Sequence, residues 1–272
     1  MAETWQLKNI NHINVIVEGF EPTIEHFRDR VGFVLDRKNP DYFGIDFCLM
    51  TLGGVMFACF VPKVKGEGGQ GRLLARYGDF YNGLEYKVAD VADARRLCDE
   101  HDVRVIQDRG GVFDTYPGSI LGVSFEIFGG DFSEFAQPPG FWENEHPLGL
   151  TGLARLTVAV NDVDAAVARL QEITGSPTIG PVSRSRAAAK GMQLRVGEAV
   201  WELLEPTSEG RLTDFLGRYD QRIRSVVWRA RDLSQVEKYL TSQGFDMIAG
   251  DADDSLAIDP AQNKNLLFEF TQ

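Results

Sequence analysis

Four stretches of similar sequence decide how this chain folds: HINVIVEG at residues 12–19, GLEYKVAD at 83–90, RLTVAVND at 155–162 and SVVWRARD at 225–232. Their first residues stand 71, 72 and 70 positions apart. Each stretch is a short strand-like run that closes with an acidic or turn residue and leads into an amphipathic segment. This spacing predicts an internal repeat of about 70 residues that occurs four times.

The segment after each stretch has the pattern of a short helix. Asp90, Asp162 and Asp232 stand where a helix N-cap is expected, because a short carboxylate accepts hydrogen bonds from the free amides of the first turn. Apolar residues then recur at helical spacing, which predicts one buried face per helix. The first copy predicts a helix over Thr23–Val31 that ends before Gly32.

Each copy ends with a strand of recognisable form. The runs VSFEIF at 123–128, VWELLEP at 200–206 and LFEF at 267–270 align on Glu126, Glu202 and Glu269. The first copy, GGVMFACFVP at 53–62, aligns without gaps on residues 197–206 and has Ala58 at that position. With two further strand-like pieces before this last one, the repeating unit is predicted as βαβββ.

These features resemble the vicinal oxygen chelate superfamily, which includes glyoxalase I and the extradiol dioxygenases. The final segment DPAQNKNLLFEF at 259–270 is similar to the last hairpin of that family, with Asn263 in place of a glycine. The resemblance implies an α+β fold in which four βαβββ modules pair into two glyoxalase-like domains, with curved mixed sheets that form cups. The domains are then residues 1–137 and 150–272, joined by a Pro-rich linker at 138–149.

The resemblance also implies which positions carry chemistry, because the family holds a divalent metal with residues of the first and last strands. In the first cup those positions are His12, Ala58, Gly83 and Glu126, so His12 and Glu126 are the catalytic and metal-binding candidates. Glu85 follows Gly83 by two residues and should face the same side of its strand. The implied metal is Fe, Mn, Ni or Zn. Three alternatives stay open: a metal site, a metal-free acid and base pair, and purely structural roles for both residues.

In the second cup the corresponding positions are Arg155, Glu202, Ser225 and Glu269. We expect an ion pair of Arg155 with Glu202 or Glu269 in place of a metal, since a guanidinium is a permanent cation. This cup is therefore interpreted as structural. The alternative is a pocket for the anionic group of a substrate.

Aromatic residues lie on segments around the predicted mouth of the first cup. The substrate-binding candidates are Tyr42, Phe43, Tyr81 and Tyr116, together with Glu85. Core packing explains these aromatic residues equally well. The segment GEGGQG at 66–71 is predicted to be a mobile loop without a helix behind it, so it does not indicate a phosphate site.

Composition excludes several classes of protein. The 272 residues carry a net charge of −12 without a basic cluster, which argues against nucleic-acid binding. The longest apolar run, Phe47–Val61, is too short and too interrupted for a membrane span. The three cysteines form no Cys-x-x-Cys motif, and the first residues lack the pattern of a secretory signal, so the expected location is the cytoplasm.

These observations favour an enzyme of the glyoxalase-like class that acts as a lyase or isomerase on a small oxygenated molecule in the first cup, and they leave open whether that molecule is aromatic. A dioxygenase is ranked lower, because it would need a second histidine at Gly83 or Ser225. A protein that sequesters a small molecule without catalysis is the alternative from another class. The expected partner is a small-molecule ligand, and a homodimer stays open.

Overall fold

The computed structural model describes residues 3–272. One set of strands comprises β1 (Leu7–Ile16), β2 (Val34–Tyr42), β3 (Ile45–Leu52), β4 (Val55–Pro62), β5 (Phe80–Val88), β6 (Val105–Asp108), β7 (Val112–Thr115) and β8 (Ser124–Phe128). The other comprises β9 (Leu150–Ala159), β10 (Thr178–Arg184), β11 (Ala189–Val196), β12 (Ala199–Pro206), β13 (Arg222–Ala230), β14 (Met247–Ala249), β15 (Leu256–Ile258) and β16 (Leu267–Thr271). The α-helices are α1 (Phe20–Glu25), α2 (Gly68–Tyr77), α3 (Val91–Glu100), α4 (Val163–Thr174), α5 (Arg211–Tyr219) and α6 (Leu233–Ser242).

The strands form two open, curved sheets of eight strands each. The strand order is β2-β3-β4-β1-β5-β8-β7-β6 in the first sheet and β10-β11-β12-β9-β13-β16-β15-β14 in the second. The two orders are the same when each is counted from its own first strand. In every module the first strand pairs in parallel with the last, as β1 with β4 and β5 with β8. The predicted α+β fold of four βαβββ modules is confirmed.

The described residues also divide into two compact units. The first unit comprises residues 3–12, 82–132 and 155–224, and the second comprises residues 13–81, 133–154 and 225–272. In the core of the first unit, the Phe125 ring lies 5.7 Å from the Tyr86 ring and 5.6 Å from the Trp201 ring. In the second unit, the Phe268 ring lies 5.6 Å from the Phe57 ring. Each unit therefore has its own aromatic core.

Three of the predicted helix starts are confirmed at the level of single hydrogen bonds. The carboxylates of Asp90, Asp162 and Asp232 accept hydrogen bonds from backbone amides of the first turn at 3.0, 2.9 and 2.8 Å. Gly175 ends α4 in the left-handed conformation with φ of 64°. Local chemistry therefore fixes where these helices begin and where α4 ends.

The first helix differs from its predicted bounds. It begins at Phe20 and is regular only to Glu25, after which a π-helical turn covers His26–Val31. The early start is possible because Pro22 falls in the first turn, where its missing N–H is not needed. The wider turn keeps both Phe27 and Val31 buried before Gly32 ends the helix.

The prediction of a mobile loop at residues 66–71 is wrong, because α2 begins at Gly68. Glycines disfavour helix on their own, but the burial of Leu74 and Tyr77 overrides that preference. Gly71 is also required by the packing, since a Cβ there would lie 2.5 Å from the carbonyl oxygen of Val64. The prediction of a loop at residues 66–71 rested on glycine content alone and therefore missed the start of α2.

The segment 138–149 was predicted to contain no regular element, and it contains one short π-helical turn, Phe141–Glu145. The ring Nε2 of His146 lies 2.8 Å from the carbonyl oxygen of Gly32, and this contact fixes the segment that follows the turn. In residues 3–272 we find no helix that is both long and apolar enough to cross a membrane.

Candidate metal centre

The last strands of the four modules place equivalent residues in equivalent register. Glu126 pairs with Glu85, Ala58 with Asn14, Glu202 with Thr157 and Glu269 with Val227. The first-strand positions identified from the sequence, such as His12, lie two residues before these partners. Because side chains alternate along a strand, both positions face the same side of the sheet.

Three potential ligands converge in the first unit. One ligand atom each from His12, Glu85 and Glu126 can be chosen so that all lie within 4.8 Å of one another. The Nε2 atom of His12 is 3.3 Å from Oε2 of Glu85, and both side chains are only 5% exposed. The sequence predicts Glu85 as a substrate-binding residue, and the structure places its carboxylate in a group with His12 and Glu126 that could hold a metal ion.

Gly83 explains why the third ligand lies two residues later than the resemblance implied. A Cβ at Gly83 would be 2.2 Å from the carbonyl oxygen of Ser124, so no larger residue fits there. Glu85 has its register partner in Glu126, and its carboxylate reaches the same face of the sheet. The strand therefore supplies a ligand from the next position on that face.

Neighbouring side chains hold Glu85 and His12 in place. Asn11 donates a hydrogen bond from Nδ2 to Oε1 of Glu85 at 2.8 Å, and the same Nδ2 donates to the carbonyl oxygen of Gly130 at 3.1 Å. The ring of Phe132 meets the imidazole of His12 edge-on at 5.4 Å. Such contacts orient ligand atoms and restrict their rotamers before an ion arrives.

Glu126 has a different environment, because a cation already contacts it. Nη2 of Arg109 lies 2.8 Å from Oε1 of Glu126 and 3.1 Å from Oδ2 of Asp114. Asp114 is the register partner of Glu126 on β7. Burial, followed by the nearby charge of Glu126, raises the pKa of Asp114 to about 7, although Arg109 opposes the shift. Asp114 therefore changes its charge near neutral pH.

The donor set fits a divalent ion. Ligand atoms at about 2.1 Å from a tetrahedral ion are about 3.4 Å apart. The 3.3 Å between Nε2 of His12 and Oε2 of Glu85 already matches that spacing, whereas a separation of up to 4.8 Å has to shorten when an ion binds. One imidazole nitrogen and two carboxylate oxygens suit Fe, Mn or Zn better than soft monovalent ions. Three protein ligands also leave coordination positions for a substrate.

The corresponding glutamate of the third module is enclosed by cations. Arg184 binds Glu202 in a bidentate manner, with Nε at 2.8 Å from Oε1 and Nη2 at 2.5 Å from Oε2. Gln193 donates to Oε2 of Glu202 at 2.8 Å, and Nε of Arg155 is 3.6 Å from the same oxygen. Glu202 is only 1% exposed. The side chains around Glu202 already supply the positive charge that an ion would bring.

The glutamate of the fourth module, Glu269, is held by a loop of its own module. Its Oε2 accepts hydrogen bonds from the backbone N–H of Asp251 at 2.8 Å and from Oγ of Ser255 at 3.1 Å. A Cβ at Gly250 would lie 2.5 Å from the same oxygen, which shows how closely the loop approaches. Within its own unit, Glu269 is therefore fixed by neutral hydrogen-bond donors.

The aromatic candidates from the sequence lie in three different environments. Tyr42 and Phe43 are at the turn between β2 and β3 and are 44% and 89% exposed. Tyr81 is buried, and its hydroxyl donates to the carbonyl oxygen of Leu267 at 3.0 Å. Burial and the charge of Glu269 hold the pKa of Tyr81 well above its usual value. Tyr116 is half-exposed, with the guanidinium of Arg104 over its ring.

Sequence reasoning did not identify Asn11, Arg109, Asp114 or Arg184. Asn11 neighbours His12 and would have been found by asking what orients a ligand. Arg109 and Asp114 belong to a short hairpin whose register with β8 cannot be read from the sequence. Arg184 lies in the polar run SRSR at 183–186, where nothing distinguishes one arginine from the other.

No protein-family model matches the chain, and no curated protein matches it by sequence. Solved structures do match. A mutant of 4-hydroxymandelate synthase from Streptomyces coelicolor has a TM-score of 0.77 at 13% identity, covering 97% of this chain and 92% of that one. The 2,3-dioxygenase LapB from a Pseudomonas species has a TM-score of 0.62 at 12% identity, covering 99% and 93%.

A third match is a fusion of a xylose isomerase-like TIM barrel with 4-hydroxyphenylpyruvate dioxygenase. It has a TM-score of 0.70 at 13% identity and covers 99% of this chain but only 50% of the fusion protein. At these identities the matches establish similarity of fold along nearly the whole chain. They do not by themselves transfer an activity to it.

Proposed function

We propose that this chain, which has the fold of the vicinal oxygen chelate superfamily, is an enzyme that holds a divalent metal ion with His12, Glu85 and Glu126. Its substrate in this proposal is a small oxygenated aromatic molecule. The observation that carries the proposal is the convergence of three ligand atoms within 4.8 Å on one face of β1, β5 and β8. The two other buried glutamates at equivalent positions, Glu202 and Glu269, are held by protein donors instead.

When bound, the ion would act as a Lewis acid toward two neighbouring oxygen atoms of the substrate. The protein residues contribute position and charge. Asn11 fixes one oxygen of Glu85, and Phe132 limits the rotation of the His12 ring. Arg109 offsets part of the negative charge of Glu126 and Asp114. His12 and Glu85 are therefore largely preorganised, which reduces the cost of binding an ion.

Oxygenation is the reaction class that we favour within this proposal. Two of the matching structures are named as dioxygenases or contain one. From the sequence, this class ranks below lyases and isomerases, because no second histidine stands at Gly83 or Ser225. Glu85 removes that objection in part, since it supplies a third ligand of another type. Iron is the metal that this chemistry requires, with one imidazole and two carboxylates in place of two imidazoles and one carboxylate.

A second candidate is proton transfer by a lyase or isomerase, with Mn, Ni or Zn as the metal. The observation in its favour is Asp114, whose pKa of about 7 suits a general acid or base. Asp114 shares Arg109 with Glu126 and is therefore next to the metal ligands. The two candidates differ in whether molecular oxygen is consumed.

Metal analysis of the purified protein tests the proposal. After loading with Fe(II) under anaerobic conditions, or with Mn(II), we expect one ion per chain. The variants His12→Ala, Glu85→Gln and Glu126→Gln should each lose most of it. Glu198→Gln is the matched control, because Glu198 is an exposed glutamate of the same unit. Equal metal content in all five proteins, or none in the wild type, would contradict the proposal.

Oxygen uptake then separates the two reaction classes. The iron-loaded protein is mixed with a panel of aromatic 2-oxo acids and catechols, and dissolved oxygen is recorded with an electrode. Consumption that depends on both iron and substrate supports oxygenation. Substrate turnover at the same rate without oxygen would support proton transfer. A metal-loaded protein that binds these compounds and changes none of them would favour sequestration.

A further inference from the structure

Arg109 contacts protein carboxylates through only one of its three guanidinium nitrogens. In the described part of the chain, its side-chain polar contacts all pass through one nitrogen, Nη2, which reaches both Glu126 and Asp114. Arg184, by contrast, uses Nε and Nη2 together on Glu202. The N–H groups on Nε and Nη1 of Arg109 are therefore not engaged by protein acceptors. A guanidinium has five donors, so most of its binding capacity is unused here.

The backbone around Arg109 allows the side chain to change partners. Arg109 begins the turn between β6 and β7, and Gly110 and Gly111 follow it with φ of 68° and 126°. A Cβ at either glycine would meet no atom within 4 Å, so the space beside Gly110 and Gly111 is open. The Arg109 side chain is itself 38% exposed. Ligands from solution can therefore reach it directly.

We propose that Arg109 is the anion anchor of this site and binds the carboxylate of the ligand while Glu126 turns toward the metal ion. This inference rests on the proposed metal site and adds the substrate class, an acid rather than a neutral molecule. Glu126 and Arg109 are in contact, so an ion and Arg109 compete for the same carboxylate.

The exchange follows from the geometry of the donors. Nη1 and Nη2 form the end-on fork of a guanidinium, which matches the two oxygens of a carboxylate. While Nη2 contacts the carboxylates of both Glu126 and Asp114, it cannot also donate to a ligand, and the pair of donors cannot bind a carboxylate end-on. Once Glu126 has turned away, Nη2 keeps Asp114 and has a second N–H for an incoming carboxylate. Arg109 then holds an acid directly beside the metal ligands.

A thermodynamic consequence makes this exchange measurable. If a carboxylate draws Arg109 away from Glu126, it must also increase the affinity for the ion, because coupling between two ligands is reciprocal. Replacing Arg109 should remove the coupling altogether. A merely structural Arg109 would leave metal affinity independent of any added acid.

The experiment measures Mn(II) affinity by the EPR signal of the free ion, in low-chloride buffer, with benzoate, with its neutral isostere benzamide, or with neither. For the wild type we expect benzoate to tighten Mn(II) binding about fivefold or more, and benzamide to have no effect. Arg109→Gln should bind Mn(II) more tightly than the wild type does and should not respond to benzoate. Arg195→Gln, an exposed arginine of the same unit, is the control and should behave as wild type.

A second readout separates failure of this inference from failure of the metal site. The side-chain ¹⁵N–¹H signals of arginine are recorded during benzoate titration of the wild type and of Arg109→Gln. A shifting signal that is absent from the variant supports the anchor, even if Mn(II) does not bind. Mn(II) binding without any benzoate effect, or an equal benzoate effect in Arg109→Gln, would overturn the anchor and leave the metal site intact.

Discussion

Glu126 and Glu202 occupy the same position in two copies of one module, and their surroundings differ in every respect that matters for chemistry. Glu126 is contacted by a single nitrogen of Arg109 and lies near His12 and Glu85. Glu202 accepts hydrogen bonds from two nitrogens of Arg184 and one from Gln193. It is 1% exposed, whereas the Glu126 side chain is 14% exposed.

The comparison shows how a repeated fold assigns different tasks to one residue. A buried carboxylate needs positive charge nearby, which either the protein or a bound ion can provide. Around Glu202 the protein provides it, because Arg184 and Arg155 are part of the chain. Around Glu126, Arg109 contributes one nitrogen, and an imidazole and a second carboxylate are placed where an ion would sit.

The largest effect on stability is expected from removing the Arg184 guanidinium beside Glu202. Arg184→Met leaves Glu202 buried without its bidentate partner, which should lower the free energy of unfolding by about 3–5 kcal/mol. Urea denaturation followed by circular dichroism measures the loss. The double variant Arg184→Met/Glu202→Leu should recover part of it, since the apolar pair carries no charge while Arg155 loses its contact with Glu202.

Arg195→Gln is the control for that experiment, because Arg195 is exposed and its side chain donates to the carbonyl oxygen of Glu198 and not to a buried carboxylate. We expect it to stay within about 0.5 kcal/mol of the wild type. If Arg184→Met were equally mild, Glu202 would not depend on the bidentate contact, and the contrast with Glu126 would fail.

An intermediate effect is expected on metal affinity at the candidate site of His12, Glu85 and Glu126. Asn11→Ala removes the hydrogen bond that orients Glu85, so Mn(II) affinity should fall about 10- to 100-fold, as for other residues that support metal ligands. Isothermal titration calorimetry of the folded variant measures the change. Asn9→Ala is the matched control, because Asn9 contacts Asn11 but makes no hydrogen bond to Glu85. A similar loss in both variants would show a general disturbance of β1 and not an effect on Glu85.

The smallest effect concerns pH. The pKa of Asp114 is raised to about 7 in the folded protein, so the folded state binds this proton more tightly than the unfolded state does. Stability from this group is therefore complete at low pH and is lost as pH rises from about 4 through 7. Asp114→Asn should therefore gain stability relative to the wild type as pH rises across that range.

Urea unfolding of the metal-free protein, in chelator, at the two ends of that pH range measures the difference. A constant offset between Asp114→Asn and the wild type would mean that Asp114 does not titrate there. A gain for the variant at the acidic end would have the wrong sign, since Asp114 is then neutral in both states.

Much of the fold follows from the sequence because local signals repeat four times. The caps at Asp90, Asp162 and Asp232 and the alignment of Glu126 with Glu202 need only short-range patterns. The helix at Gly68–Tyr77 was missed because its stability comes from burial and not from its residue preferences.

The site was less accessible to sequence reasoning, for a reason of geometry. The strand face of Glu85 follows from simple alternation, but its approach to His12 at 3.3 Å depends on the positions of β1 and β5. The exclusion of side chains at Gly83 depends on the backbone of Ser124. Arg109 and Asp114 reach Glu126 only through the register of β7 with β8. Such relations between strands are properties of packing, which no single segment encodes.

Anomalous diffraction from crystals soaked in Mn(II) is the measurement that tests the central claim most directly. The account predicts one strong anomalous peak per chain between His12, Glu85 and Glu126, with Arg109 moved away from Glu126. It also predicts no peak beside Glu202, where Arg184 already occupies the carboxylate. A peak at Glu202, or no peak between the three ligands with Arg109 still on Glu126, would contradict it.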